Sequence, residues 1–437
     1  MSSSTRPSLV DFATEILHSA TSLQEQLSRS NLPQPTLDKD GRQSYQDIME
    51  NPAAMEARSK LIETSRTLLT LAQGPIEALR VDSMTNLFYI AALRAIHQLK
   101  IAEAVPPTGD ISITELAEKV KVHPDPLRRI LRFAFTKHYF CEPEGKPDFI
   151  EHTSLSRVIE PFDAYLWFYL GDAAQTIPCA LQFANSLKNW PRSPLDFADR
   201  ASRDFWTIIQ EDEPNGCGME RFSKAMTESM WSTQGDANSL LRNGFDWEGL
   251  GAATVVDVGG GNGHNVILLA KAFPRLEFVV QDMSKNEKPA SELLQLAGLT
   301  DSRRFRFQVH DFFQPQPSSS DTAPKVYLLS KVLHDWSDED AARILKNLVP
   351  NIKRHGSRLV VVERVLPDNP GEVPLHYEAQ LRALDMVMFR AFGAARERSL
   401  ADWESLFRAV DEGLRIKAVF CPVGSELSVL EVGMVEV

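Results

Sequence analysis

The sequence predicts an α/β fold built on a mostly parallel sheet with helices on both faces, and three observations support this prediction. From Thr254 onward, short apolar runs alternate with amphipathic helical stretches, which is typical of parallel strands joined by helices. The first run, 254–258, passes through a glycine-rich turn into the apolar helical run 266–272. The last two runs have only a short link and no helix between them, so they should form an antiparallel hairpin at one end of the sheet.

The alternation predicts seven strands and five helices within a domain spanning 233–437. The strands are predicted at 254–258, 277–281, 305–309, 325–330, 357–363, 415–421 and 427–436. The helices are predicted at 263–273, 286–297, 338–353, 377–391 and 400–411.

Residues 1–80 have the pattern of a helical arm. One helix is predicted within 1–35, and a second runs from Met55 to about Leu79 with a break at Pro75. Such an arm cannot bury its apolar stripe alone, so it should pack on another domain or on a second subunit. The pattern does not choose between these two arrangements.

The next predicted domain, 81–232, contains the pattern of a winged helix. Ser112 or Thr114 should cap a short helix, Asp125 should open a second one, and two extended pieces should follow around 145–147. Winged helices often bind DNA, but Lys+Arg 47 against Asp+Glu 59 gives the chain a net charge of −12. An acidic chain makes nucleic acid an improbable main partner.

Aromatic residues are frequent in 162–232, where most should be core and some should line a pocket for a flat substrate. The stretch 189–216, with its prolines, is predicted to be a loop. The apolar runs are shorter than the roughly 18 residues needed to span a bilayer, so we expect no membrane segment. We also expect no secretory signal, and four scattered cysteines without a metal-ligand cluster favour a reduced, cytoplasmic protein.

The glycine-rich turn excludes two common nucleotide sites. A phosphate-binding P-loop needs Lys followed by Ser or Thr after the last glycine, and here His264 and Asn265 follow. The dinucleotide spacing G-x-G-x-x-G also fails, because Gly259, Gly261 and Gly263 are each two residues apart. The turn must therefore serve another ligand.

Acidic residues at three successive strand ends indicate which ligand this is. Asp257 precedes the glycines, where it would repel a pyrophosphate but attract an ammonium group. Asp282 ends the next strand and can accept hydrogen bonds from both ribose hydroxyls. Asp311 and Phe312 follow the third strand and offer an acceptor and an apolar face to adenine. S-adenosylmethionine has an ammonium group, a ribose, an adenine and no phosphate, so we expect it to be the cofactor.

Several motifs together resemble one enzyme family. VVDVGGGNG at 255–263, QDM at 281–283, HDF at 310–312, LLSKVLHDWSDED at 328–340 and VVERVLPD at 361–368 resemble the class I S-adenosylmethionine-dependent O-methyltransferases. They are most similar to the plant caffeate-type and fungal polyketide enzymes. The resemblance implies a Rossmann-like seven-stranded methyltransferase sheet, a winged-helix-like dimerisation domain and a homodimer. It implies cofactor contacts from Asp257, Gly259, Gly260, Gly261, Asp282, Met283, Asp311, Phe312 and Ser330.

His334 is the candidate catalytic base. It follows a strand end, and methylation of a phenol or enol is faster once the hydroxyl has lost its proton. A neutral histidine, with an ordinary pKa near ~6.5, suits this task. The resemblance implies that Glu363 and Glu397 are the two acids that support it. No metal-binding motif is visible, so we expect no metal.

Other positions depart from the family pattern or allow two interpretations. Ser330 stands where plant relatives have a basic residue, and Lys331 follows it. The resemblance implies that the acceptor pocket includes Asp335, Phe222, Met226, Met386 and Phe389, although the apolar spacing of the last two equally describes core packing.

Three functions remain open at this stage. The first is methyl transfer to a hydroxyl of an aromatic or polyketide-type secondary metabolite. The second is a pericyclic reaction on a related fold that binds the cofactor without methyl transfer, in which Lys331 would polarise a carbonyl. The third is a winged-helix regulator with a vestigial cofactor site, which the complete catalytic set disfavours. The acceptor itself cannot be named from the sequence.

Overall fold

The computed structural model describes residues 7–41, 45–48, 51–171, 176–199, 203–211, 218–229, 234–299, 304–317, 324–422 and 425–435. The chain forms two compact units. The first consists of Met1–Ala184 and Leu195–Ser232, and the second of Asn185–Pro194 and Thr233–Val437.

The first unit is mainly helical. Its helices are α1 (Leu9–Arg29), α2 (Pro52–Arg80), α3 (Asn86–Gln98), α4 (Ile101–Ala104), α5 (Ile113–Lys119), α6 (Pro124–Phe135), α7 (Asp163–Leu170) and α8 (Thr176–Ala180). The next helix, α9 (Phe183–Lys188), begins in the first unit and ends in the second. The first unit then contains α10 (Leu195–Ala198), α11 (Phe205–Glu211) and α12 (Gly218–Ser229).

Helices α1 and α2 pack together over a small apolar core that includes Leu27 and Ile48. The predicted break in the second helix is present, because Gly74 adopts a non-helical φ of 70° immediately before Pro75. A proline disfavours helical backbone in the residue before it and cannot donate to the preceding turn.

The winged-helix pattern is present, with two corrections. Ser112 caps α5 as predicted, but α6 begins at Pro124 and is capped by His123, whose Nδ1 accepts from the backbone of Asp125. The predicted hairpin is reduced to one bridge between Cys141 and Glu151. Strand β2 (Phe149–Ile150) pairs instead with the distant β1 (Ile111–Ser112), which burial of Ile111 and Ile150 in one core favours.

The prediction of a loop over 189–216 is wrong in part. Helices α10 and α11 lie inside it, because Leu195, Phe205 and Ile209 are buried apolar anchors at helical positions. Residues 200–202 and 212–217, which include Cys217, lie outside the described residues. The other three cysteines are free thiols.

The second unit contains the predicted α/β sheet. Its strands are β3 (Thr254–Val258), β4 (Glu277–Asp282), β5 (Phe305–Val309), β6 (Val326–Ser330), β7 (Arg358–Glu363), β10 (Leu414–Phe420) and β11 (Ser428–Met434), and β8 (Val365–Leu366) pairs separately with β9 (Arg398–Ser399). The helices are α13 (Gln234–Asn243), α14 (His264–Ala272), α15 (Glu287–Leu296), α16 (Asp338–His355), α17 (Leu375–Phe392) and α18 (Leu400–Val410).

The strand order is β10-β11-β7-β6-β3-β4-β5, with five parallel strands and an antiparallel hairpin at one edge. This confirms the predicted fold class. Strands β3, β4, β6 and β7 are buried along nearly their whole length, as expected when helices cover both faces of a sheet.

The order of the strands determines where the site lies. Strand β3 has β4 on one side and β6 on the other, so the chain order reverses between β3 and β6. Ligands of open α/β sheets bind outside the carboxyl ends of the strands at such a point. Among the described helices, none is both long and apolar enough to cross a membrane.

Candidate active site

The turn after β3 requires its glycines. Gly259, Gly261 and Gly263 have φ values of 70°, 54° and 78°, in the left-handed region that side chains disfavour. A Cβ atom on Gly260 would lie only 2.7 Å from the carboxylate of Asp257. The turn therefore presents bare backbone to a ligand, with an acid directly behind it.

Asp257 is buried, with 1% of its surface exposed, and neither carboxylate oxygen accepts a hydrogen bond of normal geometry. Burial raises its pKa to about 7, with the Asn265 amide opposing the shift, the charge of Asp282 adding to it and Lys331 also opposing it. A buried carboxylate without partners is unfavourable unless a ligand supplies a donor or a positive charge. The ammonium group of S-adenosylmethionine fits this requirement.

Asp282 accepts hydrogen bonds from the backbone and from a side chain that the sequence did not indicate. Its Oδ2 accepts from the backbone of Gly261 at 2.8 Å, and its Oδ1 accepts from Met283 N and Asn286 Nδ2, both at 2.7 Å. A carboxylate has about four acceptor positions, so these bonds leave little capacity for two ribose hydroxyls. The carboxylate also fixes the glycine turn.

Phe312 lies beside the same turn. Its ring edge would be 3.5 Å from a Cβ on Gly259, and it meets Trp336 edge-on with 5.8 Å between ring centroids. Asp311 accepts from the backbone of Phe313 at 2.9 Å, so the carboxylate also stabilises its own turn. The apolar wall predicted for adenine is thus adjacent to the glycines.

A cluster of three glutamines supports this wall, and the sequence reasoning missed it. Gln281 donates to Gln308 and to Gln316 at 2.9 Å, and Gln316 donates back to Gln281 at 3.0 Å. Gln281 is buried, and its backbone carbonyl also accepts from Gly259 and Gly260. No sequence spacing joins these three positions: the register of β4 and β5 pairs Gln281 with Gln308, and Gln316, beyond the end of β5, joins them through its side chain.

His334 lies on a short 3₁₀ turn, Leu333–Asp335, that follows β6. Its Nδ1 lies 2.6 Å from Oε2 of the fully buried Glu363. The other oxygen of Glu363 accepts from the backbone of Val332 at 2.9 Å and of Leu333 at 2.8 Å. One carboxylate therefore orients the imidazole and also satisfies the first N–H groups of the turn that carries it.

Three carboxylates surround this histidine. Burial opposes a charge on His334, but Glu363, Glu397 and Asp335 outweigh it and raise the pKa of the imidazole to about 10. The imidazole is therefore cationic at neutral pH, which differs from the neutral histidine expected from the sequence. Burial raises the pKa of Asp335 to about 6, and its Oδ1 lies 3.4 Å from His334 Nε2.

Glu397 is held by groups on two other elements. Its backbone N–H donates to Asp385 of α17 at 2.9 Å, and Arg364 Nη1 donates to its Oε1 at 3.3 Å. The parallel pairing of Val365 with Arg398 explains this contact, because it places the preceding residues of both strands side by side. The role of Arg364 was missed because it depends on this pairing.

The ligand atoms of His334, Glu363 and Glu397 lie within 4.8 Å of one another, a spacing that a metal ion also uses. The 2.6 Å hydrogen bond places a proton between two of these groups and accounts for their closeness without an ion.

Ser330 ends β6 and is half-buried. The next residue, Lys331, has a φ of 55°, which is rare for a residue with a side chain, and its N–H donates to Val362 O at 2.9 Å. Burial and Arg364 lower the pKa of Lys331 to about 8. The charges of Glu363 and Asp257 oppose this lowering, so Lys331 interacts both with the acid behind the glycine turn and with the acid beside His334.

The predicted acceptor residues fall in both units. Met386 and Phe389 lie on α17, which contacts the Leu333–Asp335 turn, and Phe389 stacks on Trp190 with 6.1 Å between ring centroids. Phe222 and Met226 belong to α12 of the first unit. There Phe222 packs against three other rings, those of Phe168, Phe205 and Trp206.

Comparison with known proteins identifies the family. An O-methyltransferase domain model matches residues 195–411, and an O-methyltransferase dimerisation domain model matches 81–159. The chain belongs to the O-methyltransferase family. It is 35% identical over 390 residues to O-methyltransferase VdtC of Byssochlamys spectabilis, covering 87% of each chain. It is 33% identical to the grayanic acid biosynthesis cluster O-methyltransferase of Cladonia grayi, covering 97% of this chain and 87% of that enzyme.

A solved structure shares the fold. This is the O-methyltransferase NcsB1 from neocarzinostatin biosynthesis, in complex with S-adenosylmethionine and 2-hydroxy-5-methyl naphthoic acid, with a TM-score of 0.62 and 24% identity. The match covers 80% of this chain and 96% of NcsB1. The protein is thus an S-adenosylmethionine-dependent O-methyltransferase of the secondary-metabolite type.

Proposed function

We propose that this O-methyltransferase methylates a phenolic or enolic hydroxyl of an aromatic or polyketide-type metabolite, with His334 as the general base. The observation that carries the proposal is the 2.6 Å contact between His334 Nδ1 and Glu363. A proton held at Nδ1 leaves Nε2 as the nitrogen that exchanges a proton with the acceptor.

The cofactor, when bound, supplies a methyl group on a cationic sulfur. Asp257 would hold its ammonium group, because that carboxylate is buried without a hydrogen-bond partner. The bare turn at Gly259–Gly261 would admit close approach, Asp282 would accept from the ribose, and Phe312 would cover the adenine. Met283, directly after β4, and Ser330, at the end of β6, lie on either side of β3 and complete the proposed donor side.

The high pKa of His334 determines how the proton moves. A free phenol has a pKa of about 10, as tyrosine does, which is close to the value of about 10 for His334. The reactive arrangement is then an imidazolium beside a phenolate, with one proton shared between the two groups. This arrangement contains one proton fewer than a cationic His334 beside a neutral phenol. Its share of the enzyme therefore increases as the pH rises, so kcat/KM should rise with pH above neutrality. The bound cofactor would supply the methyl group to the phenolate oxygen and keep the electron pair of the broken sulfur–methyl bond as a neutral thioether, while His334 holds the phenol proton and later releases it to solvent.

Asp335 and the supporting acids stabilise this ion pair. Glu363 and Glu397 balance the positive charge of His334, and Arg364 limits the excess negative charge on Glu397. Positioning the oxygen in line with the methyl group supplies much of the remaining acceleration.

Aromatic and sulfur-containing side chains support a flat, hydroxylated acceptor. Phe389 and Met386 lie on the helix that contacts the His334 turn, and the Trp190 ring stacked on Phe389 is 59% exposed. The resemblance to the family alone adds Phe222 and Met226 to the proposed acceptor residues. The 2-hydroxy-5-methyl naphthoic acid in the NcsB1 complex is a flat, hydroxylated aromatic compound of this chemical class.

We also propose that the enzyme is a homodimer. The first unit exposes a row of large apolar side chains from the end of α2 to the start of α3, namely Ile76, Leu79, Met84, Leu87 and Phe88. Contiguous apolar surface of this kind is typical of an interface. The row overlaps the segment 81–159 that matches the dimerisation domain, which makes a second copy of the chain the proposed partner.

The test is methyl transfer from labelled cofactor to a panel of phenolic polyketides by wild type and His334→Ala. We expect transfer by the wild type and a loss of at least 10²-fold in kcat for the variant. Undiminished transfer by the variant would contradict the assignment of His334 as the general base. An altered product formed without consumption of cofactor would support the pericyclic alternative.

A further inference from the structure

Arg398 is completely buried, and all of its described hydrogen bonds lead to one short segment. Nη1 donates to Leu333 O at 2.8 Å, Nη2 donates to Trp336 O at 2.9 Å, and Nε donates to Asp338 at 2.8 Å. The guanidinium also lies over the ring of Trp403, with 5.2 Å to its centroid. A planar group with donors in a fixed fork can hold several acceptors in one geometry, which a lysine cannot do.

The two carbonyls lie on either side of the catalytic residues. Leu333 and Trp336 flank His334 and Asp335 in the chain, so the guanidinium binds the turn at both of its ends. Glu363 binds the same turn through the N–H groups of Val332 and Leu333. The turn is therefore fixed through its carbonyls by one side chain and through its N–H groups by another.

A buried arginine is costly unless its donors are satisfied. Here most of the compensation comes from the turn that carries the base, together with an exposed aspartate at the start of α16. Simple packing against Trp403 would not need a charged group. This placement indicates that the guanidinium serves the geometry of the turn.

We propose that Arg398 is a positioning residue that holds the Leu333–Trp336 turn so that His334 faces both Glu363 and the acceptor. The inference rests on the proposed role of His334. Arg398 opens strand β9 directly after Glu397, so two consecutive residues supply a charge beside the base and the group that fixes the base in place.

The first experiment compares Arg398→Met and Arg398→Lys with Arg396→Met. Arg396 is a matched control, because it lies two residues away and pairs with Asp402 at the surface. For Arg398→Met we expect kcat to fall about 10²-fold, the loss that a misplacement of about 1 Å causes, with KM for cofactor and acceptor changed less than threefold. Arg398→Lys should recover part of kcat, and Arg396→Met should behave as the wild type.

The pH profile distinguishes positioning from structural support. His334 is faced by Glu363, Glu397 and Asp335, with Arg364 next to Glu397. If the turn moves, His334 leaves Glu363 and Glu397, and the kinetic pKa of the base should fall towards the ordinary histidine range. A purely structural arginine would lower the melting temperature and the folded fraction but leave kcat per folded molecule and the kinetic pKa unchanged.

A second variant covers the case in which Arg398→Met does not fold. Asp338→Asn removes one exposed anchor and leaves the arginine in place, and Glu339→Gln in the same first helical turn is its control. We expect a three- to tenfold loss of kcat and a lowered kinetic pKa for Asp338→Asn only. Wild-type kcat and pH profile in every folded variant at Arg398 and Asp338 would overturn the inference. If His334→Ala is also fully active, the proposed function fails; if His334→Ala is inactive, only the role of Arg398 fails.

Discussion

Replacement of Asp257 by asparagine tests the donor site through both stability and binding. The structure buries this carboxylate without a hydrogen-bond partner and raises its pKa to about 7. In the unfolded chain an aspartate titrates near ~3.9. Between these two values the folded state holds a proton that the unfolded state has released, so the protein without cofactor loses stability as the pH rises.

The magnitude follows from the two pKa values. Each pKa unit is worth about 1.4 kcal/mol, and linkage between pH 5 and pH 8 gives a loss of about 3 kcal/mol from this one group. Asparagine cannot ionise and removes the loss. Without cofactor, the difference in unfolding free energy between Asp257→Asn and wild type should therefore shift by about 3 kcal/mol in favour of the variant from pH 5 to pH 8.

Cofactor binding should change in the opposite direction. A charge-assisted hydrogen bond contributes about 1.5–3 kcal/mol, so Asp257→Asn should weaken S-adenosylmethionine binding by about 10- to 150-fold. Denaturant unfolding at the two pH values and calorimetric titration measure both effects, with the exposed Asp368→Asn as the control. An unfolding difference that does not vary with pH, together with unchanged cofactor affinity, would refute the reasoning.

Three further changes test other parts of the molecule. Glu363→Gln should lower kcat by about 10⁴ and move the kinetic pKa of the base downward, because an uncharged amide no longer stabilises the imidazolium of His334; a wild-type pH–rate profile contradicts this. Arg364→Met should lower kcat about tenfold while cofactor affinity stays constant, because the buried Glu397 carboxylate loses the Arg364 guanidinium. Steady-state kinetics and calorimetry measure the two quantities, and an unchanged kcat would contradict this prediction. Phe88→Glu should yield monomers in sedimentation velocity, because it places a charge on a side chain that is 60% exposed; a variant that sediments as wild type counts against this interface.

Much of the fold could be predicted because its signals are local. The strand predicted at 254–258 has the same bounds in the structure, because a short, mostly apolar run followed by glycines is typical of a buried strand that ends at a turn. The start of α6 was misplaced because His123 serves as its cap, a role that serine or aspartate usually has. The pairing of β1 with β2 joins segments that no local pattern connects.

The candidate site could be predicted as a set of residues but not as an electrostatic unit. Glu363 was expected at a strand end and Glu397 in a turn from the family resemblance, but the effect of three acids on one imidazole depends on their mutual distances. Glu363 and Glu397 are far from His334 in sequence. Glu363 reaches it through the pairing of β6 with β7, and Glu397 lies beside Arg364 through the separate pairing of β8 with β9. The raised pKa of His334 is a property of that assembly, and no motif contains it.

The hydrogen bonds from Gly259 and Gly260 to the carbonyl of Gln281 have a consequence for how such enzymes diverge. Strands β3 and β4 are in parallel register, with Val258 opposite Gln281. The sheet would therefore set the spacing between the residues proposed to bind the two ends of the methyl donor. The proposed acceptor side, in contrast, would be formed by helices and connecting segments such as α17. Substitutions there can alter the choice of acceptor while the donor spacing stays constant, so new substrates can evolve without rebuilding the methyl-donor half of the site.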